Sequence, residues 1–115
     1  MVPNVKPSEP LSQVVFVHDY LQLIFQDEGF NIYNLAAIQN NGAQFAQGRP
    51  GFCDALVSHI GQRVIETSRW DGYVLVLTFE RGAQFAVRSD DEAITGPEAF
   101  EFNGKDQPLV IEQNA

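Results

Sequence analysis

The chain has 115 residues and a mass of 12.8 kDa, which predicts a single domain. Apolar residues make up 44% of the chain and charged residues 19%, which excludes an intrinsically disordered protein. The formal net charge of -8 disfavours both nucleic acid and an anionic membrane surface as partners, because each of them binds a basic face.

The N-terminal segment contains Pro3, Pro7 and Pro10, which predicts a flexible arm over residues 1–10 and a single α+β domain over residues 11–115. It has no long apolar run of the kind found in a signal peptide, and no stretch reaches the roughly 18 apolar residues of a membrane helix. Cys53 is the single cysteine, so no intrachain disulfide can form. A cytoplasmic location is therefore expected.

The first half of the domain predicts a meander of three strands. Apolar and β-branched residues at 14–17 and 20–25 predict two strands, with a turn at His18 and Asp19 between them. A second turn is predicted at residues 27–29, and residues 30–33 predict the third strand.

The later residues predict a second meander and two hairpins. Strands are expected at residues 64–70, 73–79 and 83–88, separated by turns at Asp71-Gly72 and at Gly82. Asn41-Gly42 predicts a hairpin between residues 35–38 and 43–46, and a final hairpin joins residues 100–102 to 109–111. Pro108 marks the last strand as an edge strand. The two meanders have a similar order of strands and turns. This similarity fits either an internal duplication or the pattern that any two meanders share.

One amphipathic helix is predicted at about residues 50–60. Pro50 suits the first helical position, and Gly61 suits the C-terminal cap. The predicted core-facing side consists of Phe52, Cys53, Leu56, Val57 and Ile60. One helix with many antiparallel strands predicts an α+β fold, built as a strongly bent sheet or a partly open barrel.

Three segments carry a resemblance. They are FVHDY at residues 16–20, DALVSHIGQRV at residues 54–64 and GPEA at residues 96–99. Together they resemble a group of small single-domain bacterial proteins that has no assigned activity. The resemblance implies a bacterial, intracellular protein, and it carries over no catalytic residue.

Four residues are candidates for catalysis: His18, Tyr20, Asp54 and His59. An imidazole, a carboxylate and a phenol that converge can transfer a proton. Neighbouring residues of a strand point to opposite faces, however, so a turn at Asp19 with a packed Tyr20 is the simpler interpretation. Cys53 is interpreted as a buried apolar residue rather than as a nucleophile.

The sequence predicts no metal site and no cofactor. It holds two histidines and no CxxC, HExxH, GxGxxG or phosphate-loop motif. The acidic run Asp90-Asp91-Glu92 lacks the spacing of a calcium loop, so a solvated loop is expected there.

Acidic residues are concentrated near the C-terminus, where residues 89–115 hold seven acids and one base. Such a surface suits a basic protein partner. Trp70 beside Arg69 has the composition of an interface anchor, and a Trp that packs across strands is the alternative. Candidate interaction residues are therefore Arg69, Trp70, Asp90, Asp91 and Glu92.

These observations favour a non-enzymatic interaction protein, for example an acidic inhibitor of the immunity type that binds a basic toxin. Pairing of exposed edge strands would give a homodimer. The alternative is a small ligand-binding protein or hydrolase in which His18, Tyr20 and His59, together with Asp54, surround one pocket.

Overall fold

The computed structural model describes residues 5–106 and 108–114. Within them lie ten strands, one α-helix and one 3-10 helix. In chain order these are β1 (Gln13–Phe16), β2 (Leu21–Phe25), β3 (Glu28–Ile32), β4 (Ala36–Asn40), β5 (Ala43–Ala46), α1 (Phe52–Val57), β6 (Val64–Trp70), β7 (Tyr73–Phe79), β8 (Gln84–Arg88), the 3-10 helix (Asp91–Ala93), β9 (Glu98–Asn103) and β10 (Val110–Gln113).

The strands form two antiparallel sheets of five strands each. The first sheet has the order β1-β2-β3-β9-β10, and the second has the order β5-β4-β8-β7-β6. The two sheets are not closed into a barrel, and the expected α+β class with mainly antiparallel strands is confirmed. Both meanders and both hairpins are present, and β10 lies at an edge of its sheet as Pro108 predicts.

Both sheets contribute side chains to one hydrophobic core. In β2 and β3 every second residue is buried, which follows from the alternation of side chains between the two faces of a strand. Phe30 of β3 lies near the centre, with its ring centroid 4.6 Å from that of Phe102 and 6.1 Å from that of Phe100. The second sheet adds Leu77 and Phe85, both fully buried. Each such side chain stabilises the fold by about 1.5–3 kcal/mol through removal of apolar surface from water.

Helix α1 begins later and ends earlier than predicted. It starts after Gly51, whose φ of 92° is in the left-handed region, so Pro50 is not the first helical residue. A Cβ atom on Gly51 would lie 2.8 Å from the ring of Phe45, which explains why glycine occupies this position. Among the residues that the structure describes, no helix is long and apolar enough to cross a membrane.

The predicted core-facing side of the helix was wrong for three of its five residues. Cys53 is exposed, and Val57 and Ile60 each have 44% of their surface exposed. The residues that face the core are Phe52 and Leu56, followed by His59 in the turn after the helix. These positions follow the i, i+4, i+7 spacing of a helix face. Because His59 is polar, the sequence did not indicate that this face is the buried one.

The turn between β2 and β3 lies earlier than residues 27–29. Phe25 pairs with Glu28, so the turn consists of Gln26 and Asp27, and Gln26 takes the positive φ of 66°. Glu28 therefore becomes a strand residue with a buried side chain. Its carboxylate accepts hydrogen bonds from the backbone N–H of Ser8 at 2.8 Å and from the Ser8 hydroxyl at 2.7 Å.

The predicted N-terminal arm lies partly outside the described residues, which begin at residue 5. Val5 and Pro7 are buried, and Ser8 is bound to Glu28. Arg63 Nη1 donates a hydrogen bond to the carbonyl oxygen of Ser8 at 2.5 Å. Residues 5–8 are thus held against the domain, whereas the division into arm and domain stays a prediction.

The chain passes from the first sheet to the second at residues 33–35, here called the crossing. The backbone N–H groups of Tyr33 and Asn34 donate to the carbonyl of Ala99 in the first sheet, at 2.9 and 3.1 Å. The carbonyl of Leu35 accepts from the N–H of Arg88 in the second sheet at 3.0 Å. The crossing is therefore hydrogen-bonded to both sheets.

The buried side chain of Asn34 strengthens the crossing. It exchanges two hydrogen bonds with the side chain of Asn114, at 2.9 and 3.0 Å, and also donates to the carbonyl of Arg88 at 2.9 Å. Such a pair satisfies the buried amide, which would otherwise oppose folding. The C-terminal strand is thereby tied to the crossing.

We predict that Asn34→Ala destabilises the protein by about 1–3 kcal/mol, because it leaves the Arg88 carbonyl and the Asn114 amide without their partner. Chemical denaturation monitored by circular dichroism measures the free energy of unfolding. Asn103→Ala, at an exposed position, is the matched control and should change it by no more than about 0.5 kcal/mol. Equal losses for the two variants would contradict the role given to Asn34.

Candidate functional site

A cleft of about 490 Å³ lies at the end of the molecule where the crossing is found, here called the crossing end. Its walls come from the turn at residues 18–20, from Tyr33 and Leu35 of the crossing, from Gln47 and from residues 95–98. The volume is within the range of about 300–1,000 Å³ that is usual for small-molecule sites. We call it the tyrosine cleft, after Tyr20 and Tyr33.

The topology explains why these distant segments meet. Leu21 at the start of β2 pairs with Ile32 at the end of β3, which in turn pairs with Phe100 near the start of β9. Antiparallel pairing therefore brings the residues just before β2, just after β3 and just before β9 to the same end of the first sheet. Two of the three segments that carried the resemblance, residues 16–20 and 96–99, meet in this cleft.

The two tyrosine rings are neighbours, with centroids 5.5 Å apart and planes inclined at 47°. The Tyr33 hydroxyl donates a hydrogen bond of 2.9 Å to Glu101 Oε1. The same oxygen accepts from Asn31 Nδ2 at 3.1 Å, and Asn31 Oδ1 accepts from Gln22 Nε2 at 2.9 Å. These polar residues are paired directly across β2, β3 and β9, so the sheet holds Tyr33 in place.

Burial raises the pKa of Tyr33 to about 12, and its hydrogen bond to Glu101 and the negative charges of Glu101 and Glu98 act in the same direction. A phenolate at this position would be poorly solvated and would face two carboxylates. The phenol therefore stays protonated at physiological pH and acts as the donor to Glu101.

The wall formed by residues 95–98 is fixed by hydrogen bonds to backbone carbonyl groups. The Thr95 hydroxyl donates to the carbonyl of Tyr33 at 2.8 Å. Asn114 donates through its side chain to the carbonyl of Gly96 at 2.9 Å and through its backbone N–H to the carbonyl of Pro97 at 2.8 Å. The cleft thus has two rigid sides, both joined to the crossing.

Acidic groups dominate the charge of the cleft. Asp19 and Glu98 line it, and Glu101 lies behind Tyr33. Glu98 is half-buried, and its carboxylate makes no hydrogen bond to the residues that the structure describes. Neither lysine nor arginine is found among the described residues that line the cleft. Aromatic faces combined with carboxylates are suited to a cationic group.

His18 lies at the rim of the cleft. Its side chain is 97% exposed, and its Nε2 atom is 3.6 Å from an oxygen of Asp19, whose side chain is 85% exposed. His18 and Asp19 form a two-residue turn that is closed by backbone hydrogen bonds between Val17 and Tyr20, as the simpler interpretation predicted. Tyr20 packs on Tyr33 rather than on His18.

The structure does not bring the four candidate catalytic residues together. His59 lines a separate cleft of about 290 Å³ with Asn40 and Arg81, and Asp54 lies exposed on α1. His18 and Tyr20 alone share the tyrosine cleft. Cys53 is exposed on the first turn of α1, and within residues 5–106 and 108–114 no group of three potential metal ligands is present.

His59 is a core residue. Only 3% of its surface is exposed, and its ring lies 5.4 Å from that of Phe79. Its Nε2 atom is buried without a hydrogen-bond partner in the described structure, as is Oε1 of Gln62. Burial lowers the pKa of His59 below its ordinary value of 6.5, because the charged imidazolium would lose its hydration.

The candidate interaction residues lie at the crossing end but are not among the described residues that line the cleft. Arg69 pairs with Glu112 at 2.6 Å, and Trp70, 43% exposed, packs edge-on against Tyr73. The N–H of Ser89 donates to the carbonyl of Gly72, which places the acidic run near the Trp70 turn.

The acidic run is only partly neutralised. Arg88 binds Asp90 through two hydrogen bonds of 2.9 and 2.7 Å and holds the pKa of that carboxyl below its usual value. Asp91 and Glu92 are exposed. The crossing end therefore has unpaired acidic groups on its surface in addition to those in the cleft.

Sequence reasoning missed three residues of the site: Tyr33, Glu98 and Glu101. Tyr33 and Tyr20 are equally distant from the true turn at Gln26 and Asp27, so a correct hairpin register predicts that the two rings are neighbours. The turn predicted at residues 27–29 hid this relation. The pairing of β9 with β3 brings Glu101 to Tyr33. No signal in the sequence predicted this pairing.

Comparison with protein-family models, with curated proteins and with solved structures finds no match to this chain. The resemblance to small bacterial proteins stays a prediction, and the function is inferred from the geometry of the site.

We predict that the free energy of unfolding falls as the pH drops below about 6.5, because the unfolded chain then binds a proton that buried His59 resists. Denaturation curves at about pH 7.5 and 5.5 measure the effect, a range above the ordinary pKa values of carboxylates. His59→Phe should reduce this pH dependence. His18→Gln, which removes the exposed histidine, should retain it, and the reverse pattern would refute the assignment.

We predict that Tyr33 is the last tyrosine to ionise, with a pKa of about 12, and that Glu101→Gln lowers this pKa part of the way toward 10.0 by removing a negative charge. Tyrosinate absorbance during alkaline titration measures ionisation, with circular dichroism as the check that the protein is folded. Tyr33→Phe removes the absorbance change that comes from Tyr33 and so identifies it. Uniform titration of all three tyrosines near 10.0 would show that Tyr33 is not held as described.

Proposed function

We propose that this is a non-enzymatic binding protein of the bacterial cytoplasm that binds a basic protein partner at its crossing end. The main support is the tyrosine cleft, which combines two tyrosine rings with carboxylates and has no lysine or arginine among its described lining residues. A basic surface gains both charge pairing and aromatic contacts at such a site.

The surface of the crossing end is also negatively charged. Asp91 and Glu92 are exposed at the same end of the molecule, and two arginines of this end, Arg69 and Arg88, are already paired with acids. Unpaired negative charge on one end of a molecule accelerates encounter with a positively charged partner and excludes acidic ones. An acidic inhibitor of the immunity type is one specific form of this proposal.

The exposed Trp70 adds an anchor of the kind that often carries binding energy in protein interfaces. It lies on β6, an edge strand of the second sheet. Pairing through such an edge would instead join two copies of this chain, so the oligomeric state is part of the test.

A second candidate is the binding of a small molecule, and the cleft volume of about 490 Å³ favours it. The hydrolase form of this candidate lacks geometric support in its original version, because His59 lies in a different cleft from His18 and Tyr20.

The test compares the binding of basic proteins from a bacterial extract by the wild type and by two variants. Glu92→Lys reverses one exposed charge at the crossing end, whereas Glu66→Lys makes the same change on β6 of the second sheet, away from the cleft. We expect Glu92→Lys to reduce capture several-fold and Glu66→Lys to have little effect, with cross-links located at residues 90–98. Added salt should weaken the complex.

Equal losses for both variants would indicate non-specific charge attraction and would contradict the proposal. Capture of nothing above background would contradict it as well. Light scattering that shows a dimer whose interface covers the crossing end would replace the basic partner by a second copy of the chain.

A further inference from the structure

We infer that the tyrosine cleft binds a single guanidinium group, packed against the rings of Tyr20 and Tyr33 and paired with the carboxylate of Glu98. This inference rests on the proposed function and deepens it, because it names the chemical group that the partner inserts. It is carried by the position of an unpaired carboxylate beside an aromatic surface in one cleft.

Glu98 is the group in the cleft that needs a partner. It is half-buried at the start of β9, and no described residue donates a hydrogen bond to its carboxylate. The neighbouring Glu101 differs, since its Oε1 atom already accepts from Tyr33 and Asn31. A partly buried carboxylate gains more from a charged donor than one in bulk water does, because the local dielectric is lower.

The aromatic surface favours guanidinium over ammonium. Tyr20 and Tyr33 both line the cleft, and each is half-buried, so part of each side chain is accessible. A guanidinium is flat and weakly hydrated, so it stacks on aromatic rings while its edge donates hydrogen bonds to carboxylates, whereas an ammonium is a compact and strongly hydrated charge.

Further acceptors surround the cleft. The carboxylate of Asp19 lies at its rim, next to the exposed imidazole of His18, and residues 95–98 also line it. A guanidinium has five N–H donors, and a site with several acceptors satisfies more of them than a single carboxylate does. The fixed walls keep these groups in position before the ligand arrives, which lowers the entropic cost of binding.

The experiment uses the full chain and NMR titration of its backbone amides with four probes. Capped arginine (N-acetylarginine amide) carries the guanidinium, and capped citrulline has nearly the same shape without the charge. Capped lysine tests the choice of cation. Methylguanidine tests the group without an amino-acid backbone.

We expect capped arginine to shift the amides of residues 18–20, 33 and 95–98 and to bind about tenfold more tightly than capped citrulline. It should also bind more tightly than capped lysine. Glu98→Gln, which preserves the shape of the side chain, should weaken arginine binding about tenfold. Glu66→Gln on β6 removes one charge far from the cleft and should leave binding within about twofold.

Three results would overturn the inference: capped citrulline binding as tightly as capped arginine, shifts confined to residues outside the cleft, or equal weakening by Glu98→Gln and Glu66→Gln. Tighter binding of capped lysine would overturn the choice of guanidinium. Tighter binding of methylguanidine than of capped arginine would indicate a free small molecule as the source, and tighter binding of capped arginine would indicate an arginine side chain of a protein.

The inference and the proposed function can fail separately. If the basic partner is captured unchanged by Glu98→Gln and no arginine probe binds, the inference is wrong and the proposed function stands. If capped arginine binds in the cleft and no partner is captured, the proposed function fails and the cleft is a small-molecule site.

Discussion

The passage of the chain between the two sheets at residues 33–35 is the constraint on which the rest of the structure depends. Backbone hydrogen bonds attach this crossing to Ala99 in one sheet and to Arg88 in the other, and the buried amide pair of Asn34 and Asn114 adds the C-terminal strand. A buried amide is costly unless it is fully bonded, so the crossing has few alternative arrangements. Because Tyr33 is part of the crossing, the same hydrogen bonds hold it in place.

The chemistry of the crossing end follows from this arrangement. Acidic residues that lie far apart in the sequence, such as Asp19 and Glu98, meet there because antiparallel strands return to the same end of a sheet. The core between the sheets, with its cluster of buried phenylalanines, stabilises the fold that holds these acids at one end.

The sequence predicted the strands well because apolar residues alternate with polar ones in β2 and β3, and because Asn41-Gly42 and Gly82 have the turn conformations that their residue types favour. It predicted the helix face poorly, since it assigned the apolar Ile60 to the core, whereas the polar His59 is the residue that is buried. Half of the cleft, the turn at residues 18–20, contains two residues that the sequence singled out as candidates, His18 and Tyr20. The other half required the pairing of β3 with β9, a contact between residues about 70 positions apart, which local patterns do not encode.

The most direct measurement of the central claim is a set of intermolecular nuclear Overhauser effects between the protein and a bound arginine side chain. The account predicts contacts from the ring protons of both Tyr20 and Tyr33 to the side-chain methylene protons of the arginine. Contacts to residues at the opposite end of the molecule, for example around His59, or a bound arginine without any contact to the two rings, would contradict it.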